Sequence, residues 1–293
     1  MASNALEKLR QKVAQAKNGT PVKKDFDEGF WKLEGDKAMN GSAIIRFLPG
    51  KTEDDDPFVK IYKHGFKGPT GKWYFEDCPT TIGQDHCPAC AGNKVLWDSG
   101  KESNKEIVRE RKRKISYISN ILVISDSKNP ENEGKVFLFK YGQKLFNKIE
   151  EKLFPQFDDD VMMNPFDLNE GANFKLKMRK VDGFANFDKS EFEDPSEVGT
   201  PKEVAKIMEG VVDLFQFVDP TKFKSEEDLQ KRYDNAVGNL DRMQVSKPAK
   251  IVEEDDDEVY AKKVVETSKK KATVEDDDDE DLMASFAALA DED

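Results

Sequence analysis

His64, Cys78, Cys87 and Cys90 give the pattern His-x13-Cys-x8-Cys-x2-Cys, which constrains this chain more than any other feature. The set takes all three cysteines and one of the two histidines. One imidazole and three thiolates are a common tetrahedral zinc set, and four protein ligands leave no open position for a substrate. The pattern predicts one structural Zn2+ that staples a fold, and not a catalytic metal. Cys87-Pro88-Ala89-Cys90 reads as a tight turn that holds two sulfurs near one ion. Other readings of the cysteines are weaker. Three buried thiols can be inert core groups. A redox CxxC pair belongs beside a βαβ unit, and nothing nearby resembles one. An odd count without a secretory signal disfavours disulfides. His86, next to Cys87, competes with His64 for the fourth position. A ligand there would strain to share an ion with both Cys87 and Cys90, which favours His64.

Charge is the second constraint. The net charge is −12, yet residues 253–293 hold 17 acidic and 5 basic residues, and the rest of the chain holds 42 of each. Residues 1–24 carry six basic residues against Glu7 alone, and residues 101–117 carry seven against three acidic ones. A basic head, a basic internal segment and an acidic tail suggest a binder of anionic polymer with built-in competition. No apolar run approaches the roughly 18 residues that cross a bilayer. We therefore expect no membrane partner, no secretion and a reducing cytoplasm.

Three regions follow. Residues 1–24 form a basic arm, in which Asn4 caps a short helix that carries Lys8, Arg10 and Lys12 and could mediate self-association. Residues 25–250 form the core, with a zinc subdomain over about 60–115. Strands are predicted at Ser42–Leu48, Phe58–Tyr62, Lys72–Phe75, Ser116–Ser125, Val136–Tyr141 and Asn173–Val181, separated by Gly and Pro turns. Helices are predicted later, at Gln143–Leu153, after the capping box of Thr200 and Glu203, and after Ser225 through about Leu240. The fold class is mainly β with helical additions, a small barrel braced by helices. Residues 251–293 form an acidic tail of disordered composition. At its end Leu282, Met283, Phe286 and Leu289 mark a short amphipathic docking helix.

Enzyme motifs are missing. Near Gly71-Lys72, Phe66 and Trp73 stand where a phosphate loop needs Gly and Ser or Thr. Nucleic-acid signals are stronger. Arg109, Arg111, Lys112, Arg113 and Lys114 lead into the strand containing Tyr117. Phe137, Phe139 and Tyr141 alternate along one strand and so share a face. Lys175, Lys177 and Arg179 run toward Phe184 and Phe187. Cations that track phosphates, with rings that stack on bases, are the chemistry of single-strand binding. Taken singly, each ring is as readily a core residue.

These residues carry a resemblance to the single-stranded DNA-binding, helix-destabilising proteins of T4-type bacteriophages. The matching pieces are Ala43-Ile44-Ile45-Arg46-Phe47-Leu48-Pro49, His64-Gly65-Phe66-Lys67, Gly71-Lys72-Trp73-Tyr74, Cys87-Pro88-Ala89-Cys90, Lys112-Arg113-Lys114-Ile115-Ser116-Tyr117 and Glu170-Gly171-Ala172-Asn173-Phe174, in order within about residues 30–240. The resemblance implies an OB-fold core, a zinc held by His64, Cys78, Cys87 and Cys90, and cooperative binding of single-stranded DNA in replication, recombination and repair. It implies action in the cytoplasm of the infected bacterial host. It places Tyr117, Phe139, Tyr141, Phe184 and Phe187 with the basic run in the DNA groove, and we include Arg46, Lys175 and Lys177 in that set. The head would join neighbours along the strand. The tail would recruit polymerase, helicase loader and recombinase mediator. Ile107 and Ile118 stand where the family can carry rings, which shifts the expected affinity toward charge. An acidic protein-interaction adaptor with a zinc module is the alternative.

Overall fold

Ala43, Ile45 and Phe47 alternate with Ser42, Ile44 and Arg46, so strand β2 (Gly41–Phe47) turns one apolar face inward. That face meets the inner residues of β5 (Lys114–Asp126), β6 (Val136–Tyr141) and β7 (Ala172–Val181) in one core with Trp31 and Phe166. The computed structural model describes residues 29–52, 54–157 and 161–238. The chain divides into a first unit, Met1–Phe30, and a second, Trp31–Asp293. Only Gly29 and Phe30 of the first unit are among the described residues. The expected arm helix with Lys8, Arg10 and Lys12 lies outside them, as does the tail helix with Leu282, Met283, Phe286 and Leu289.

The described residues contain nine strands and five α-helices. Besides those named, the strands are β1 (Phe30–Trp31), β3 (Phe58–Lys67), β4 (Trp73–Asp77), β8 (Phe184–Asn186) and β9 (Glu191–Pro195). They form one sheet ordered β1-β6-β5-β2-β7-β8, with β3 joining β5 and β4, and β9 joining β7. All pairings among β2 to β9 are antiparallel. β5 organises the sheet. One of its edges takes β3 along Lys114–Ser119 and then β2 along Ile121–Asp126, while the other takes β6 along Tyr117–Leu122. Its register with β2 shifts between Ile44 and Ile45, a bulge that bends the long strand.

The insertion between β3 and β5 holds two helices, α1 (Pro88–Asp98) and α2 (Glu102–Arg111), where the sequence suggested a tight turn at Cys87–Cys90 and no helix. Cys87-Pro88-Ala89-Cys90 is the first turn of α1, with proline at the position where its missing N–H costs nothing. Helix α3 (Gln143–Leu153) buries Leu145 and Ile149 against the main core. Thr200 and Glu203 make the expected capping box of α4 (Pro201–Glu209). Helix α5 (Glu226–Val237) starts at the Ser225 cap with three acidic residues in its first turn, as its dipole favours.

Helix α5 closes a second core. Tyr233, Ala236 and Val237 pack on Phe66, Tyr74, Cys78 and Cys87. Close approach is needed here. A β-carbon on Gly92 of α1 would stand 2.0 Å from the Tyr233 hydroxyl. Lys224 Nζ lies 2.5 Å from the buried Glu76 carboxylate of β4, and Arg232 pairs with the same group. Among the described residues, no helix is long and apolar enough to cross a membrane.

Candidate metal centre and nucleic-acid interface

His64 points inward because Lys60, Tyr62, His64 and Phe66 alternate onto one face of β3. Cys78 follows β4, and Cys87 and Cys90 sit one helical turn apart at the start of α1. Their ligand atoms all lie within 4.8 Å of one another. His64 Nε2 is 3.3 Å from Cys90 Sγ and 3.4 Å from Cys87 Sγ, and the Cys78 and Cys90 sulfurs are 3.7 Å apart. A tetrahedral ion with zinc-like bond lengths sets ligand separations of about 3.6–3.8 Å, near the three spacings above, so the four donors could hold one metal ion in a closed, four-coordinate site. His86, the rival fourth ligand, is exposed and outside the cluster.

Without an ion the four groups compete for protons. Burial disfavours a charged His64, but hydrogen bonding to the Cys78 and Cys87 sulfurs outweighs it and raises the pKa to about 10. Hydrogen bonding with Cys87 and Cys90 holds the Cys78 thiol far below its ordinary value, and hydrogen bonding with Cys78 and Cys87 pushes Cys90 far above it. Three sulfurs this close ionise together only around a cation.

Surrounding groups fix the ligands. His64 Nδ1 lies 3.1 Å from the Arg111 carbonyl, which also accepts from Asn93 Nδ2 at 3.0 Å. A carbonyl at Nδ1 keeps the proton there and leaves Nε2 to the ion. The Thr80 hydroxyl is 3.1 Å from Cys78 Sγ and accepts from Arg113 Nη1 at 2.9 Å.

On the surface beside this centre, the Arg113 guanidinium lies 4.2 Å from the Tyr62 ring centroid and Lys60 Nζ lies 5.2 Å from it. Lys112 and Arg113 are exposed, and Lys114 is half-buried. A family profile described as gp32 DNA binding protein like matches residues 39–237. The chain belongs to this family. The gp32-like assignment is supported by relatives. The chain is 40% identical to the single-stranded DNA-binding protein of Enterobacteria phage T4 over 230 residues, 75% of this chain and 74% of that one. It is 40% identical to its counterpart in Enterobacteria phage T2 over 221 residues, 72% of this chain and 71% of that one. A single-stranded DNA-binding protein of Escherichia phage SV14 is 52% identical over 65 residues, 22% of this chain and 57% of that one. The gp32-like family is one of binding proteins and not of enzymes, as the motifs led us to expect.

Several residues expected at a gp32-like DNA surface have other places. Arg46 is fully buried and donates to the carbonyls of Asp167 at 2.7 Å and Ser196 at 2.9 Å. It braces two loops and has no face for a phosphate. Tyr117 is buried, stacked on Phe146 at 3.9 Å, with its hydroxyl donating to Gln143 Oε1 at 2.8 Å. Phe139 packs edge-on to Trp31, and buried Tyr141 shares a 2.9 Å hydroxyl contact with Ser119. These three rings are core, because the inner face of a curled sheet is where alternating aromatics go. Arg111 is buried over the Phe66 ring, 5.4 Å from its centroid.

Four further cations are at the surface with acidic partners. Arg109 pairs with Glu102 at 2.8 Å, Lys175 with Glu193 at 3.0 Å, Lys177 with Glu191 at 2.7 Å and Arg179 with Asp188 at 2.6 Å. Phe184 and Phe187 are half-buried. Lys114 opens β5, whereas Lys175 faces Ile44, which faces Ser125 near the other end of β5. The two basic segments thus sit at opposite ends of one strand. Sequence reading passed over Tyr62, Lys60 and Thr80. Counting in twos back from His64 along β3 would have put Tyr62 and Lys60 on the metal side.

Proposed function

We propose that this protein binds single-stranded DNA, as the names of its T4 and T2 relatives state for those proteins, and that it does so with little sequence preference. The observation that carries this reading is the exposed Lys112 and Arg113 beside Tyr62 and Lys60, presented by the metal subdomain of a gp32-like chain. Exposed cations next to a ring suit phosphates and bases together. The metal is read as one structural Zn2+, since one nitrogen and three sulfurs favour it and a closed set leaves no catalytic position.

The core is read as an OB-type barrel. A long bulged strand with two successive partners on one edge is how a small barrel turns a corner. The wider reading has four further parts: cooperative binding through a basic arm at residues 1–24, a core over 25–250, a tail at 251–293 that recruits replication and recombination proteins, and action in the cytoplasm of an infected bacterium. It rests on charge distribution and family resemblance.

A salt titration on a homopolymeric single strand, with and without the first 24 residues, tests this function. Log affinity should fall with log salt at a slope of about −0.7 per neutralised phosphate. Removing the arm should reduce cooperativity more than single-site affinity. Binding that stays flat from low to high salt would refute the proposal.

A further inference from the structure

We propose that the Arg113 guanidinium, laid on the Tyr62 ring, is a platform on which one nucleobase of the bound strand stacks. This rests on the single-strand binding proposed above and assigns to Arg113 a role other than phosphate neutralisation.

Four observations carry it. The first is the contact itself: Arg113 Cζ stands 4.2 Å from the Tyr62 centroid, the separation of a guanidinium in face contact with a ring. The second is exposure. Tyr62 is half-buried against the core around Cys78 and Cys87, whereas Arg113 is exposed. The inner face of the guanidinium is therefore used and its outer face is open to a planar partner. Bases stack on arginine planes as well as on rings.

The third is that the pair is held in place. The Tyr62 N–H donates to Thr81 Oγ1 at 2.9 Å, and the Tyr62 carbonyl accepts from the Cys78 N–H at 2.8 Å. Arg113 Nη1 donates to Thr80 Oγ1 at 2.9 Å. Both partners are thus tied to the turn that carries a metal ligand, so the stack is pre-organised and loses little side-chain freedom on binding. The fourth is the surroundings. Lys60, 5.2 Å from the Tyr62 ring, and neighbouring Lys112 supply positive charge for phosphates on either side of a stacked base. Among the described residues, Arg113 has no carboxylate within ion-pair distance, unlike Arg109, Lys175, Lys177 and Arg179.

Stacking and charge can be separated. The full chain is titrated with a short homopolymeric oligonucleotide and with an abasic strand of equal length, for wild type, Arg113→Lys, Tyr62→Leu and Tyr62→Phe. Zinc content and melting temperature serve as controls for folding. Arg113→Lys keeps the charge and removes the plane. It should weaken binding to the base-bearing strand by about five- to a hundredfold, the range for one stacked base, and leave abasic binding and the salt slope unchanged. Tyr62→Leu should do the same, and Tyr62→Phe should bind like wild type. A wild-type ratio of base-bearing to abasic affinity in Arg113→Lys overturns the proposal. Equal loss on both strands does so too, since that marks a phosphate contact. If wild type binds neither strand, the underlying function fails instead. Should Tyr62→Leu lose its zinc, Arg113→Lys decides, because its side chain is on the surface.

Discussion

His64 Nδ1 and the Arg111 carbonyl stand 3.1 Å apart, joining a metal ligand to the residue at which α2 ends and the run toward β5 begins. The ion site and the exposed Lys112–Arg113 pair are therefore one mechanical unit. Chelation should remove one zinc per chain and loosen residues 60–115 without deleting any group proposed to meet DNA. Even about 3 kcal/mol lost from a domain of this size lowers the melting temperature by roughly 6–12 °C. Limited proteolysis and calorimetry with and without chelator, then with zinc restored, check this. Unchanged melting after the metal is gone would contradict it.

Arg46 provides a test of the buried assignments. Its replacement by Met leaves the Asp167 and Ser196 carbonyls without their donor, at a cost of about 2–5 kcal/mol. DNA affinity, measured well below the melting temperature, should stay at the wild-type value. A folded Arg46→Met protein that binds DNA tenfold more weakly would return Arg46 to the interface.

Asp126 sets an acid limit on stability. Burial raises its pKa, but donors from Trp31, Asn129, Asn132 and Lys128 outweigh that and hold the carboxyl below its ordinary value. A depressed carboxyl stabilises the fold above the unfolded pKa, and that contribution is lost as pH falls through the folded pKa. Wild type should exceed Asp126→Asn in stability by about 1–3 kcal/mol near neutrality, and the gap should narrow once the pH drops below about 4. Urea unfolding at both pH values measures it. A gap that does not change with pH would count against the carboxylate's role.

The acidic tail carries the chain's whole net charge, and a polyanion in the same molecule competes for a basic surface. Deleting residues 253–293 should raise affinity for single-stranded DNA, most at low salt where screening is weakest. Equal affinities for the full and shortened chains at low salt would make the tail a docking arm or spacer only.

Much of this was legible in advance. Thr200 and Glu203 marked α4 because capping is local chemistry, and β6 and α3 appear within the bounds their periodicity suggested. The clustering of His64, Cys78, Cys87 and Cys90 was legible because few residue types suit zinc and their spacing stands out. Helices α1 and α2 were not, since proline opens the first and charged residues fill the second. Tyr62 was missed because β3 was cut at its position, which hid its alignment with His64. Arg46 looked like a surface cation because its two acceptors lie 121 and 150 residues away in sequence. Tyr117, Phe139 and Tyr141 are inward-facing for a similar reason, since only the curl of the sheet decides which face is inside.

Between Lys67, where β3 ends, and Lys114, where β5 begins, lie 46 residues that must be spanned before the two strands can pair. Tying His64 to Cys90 leaves about half of that stretch free, and each halving spares only about 0.6 kcal/mol of closure entropy. Timing matters more. All four ligands precede Lys114 in the chain, so they leave the ribosome before the strand that β2, β3 and β6 all need as a partner. An ion caught at that stage would staple the insertion before β5 arrives, leaving β6 to β9 to complete the sheet and helix α5 to close the second core.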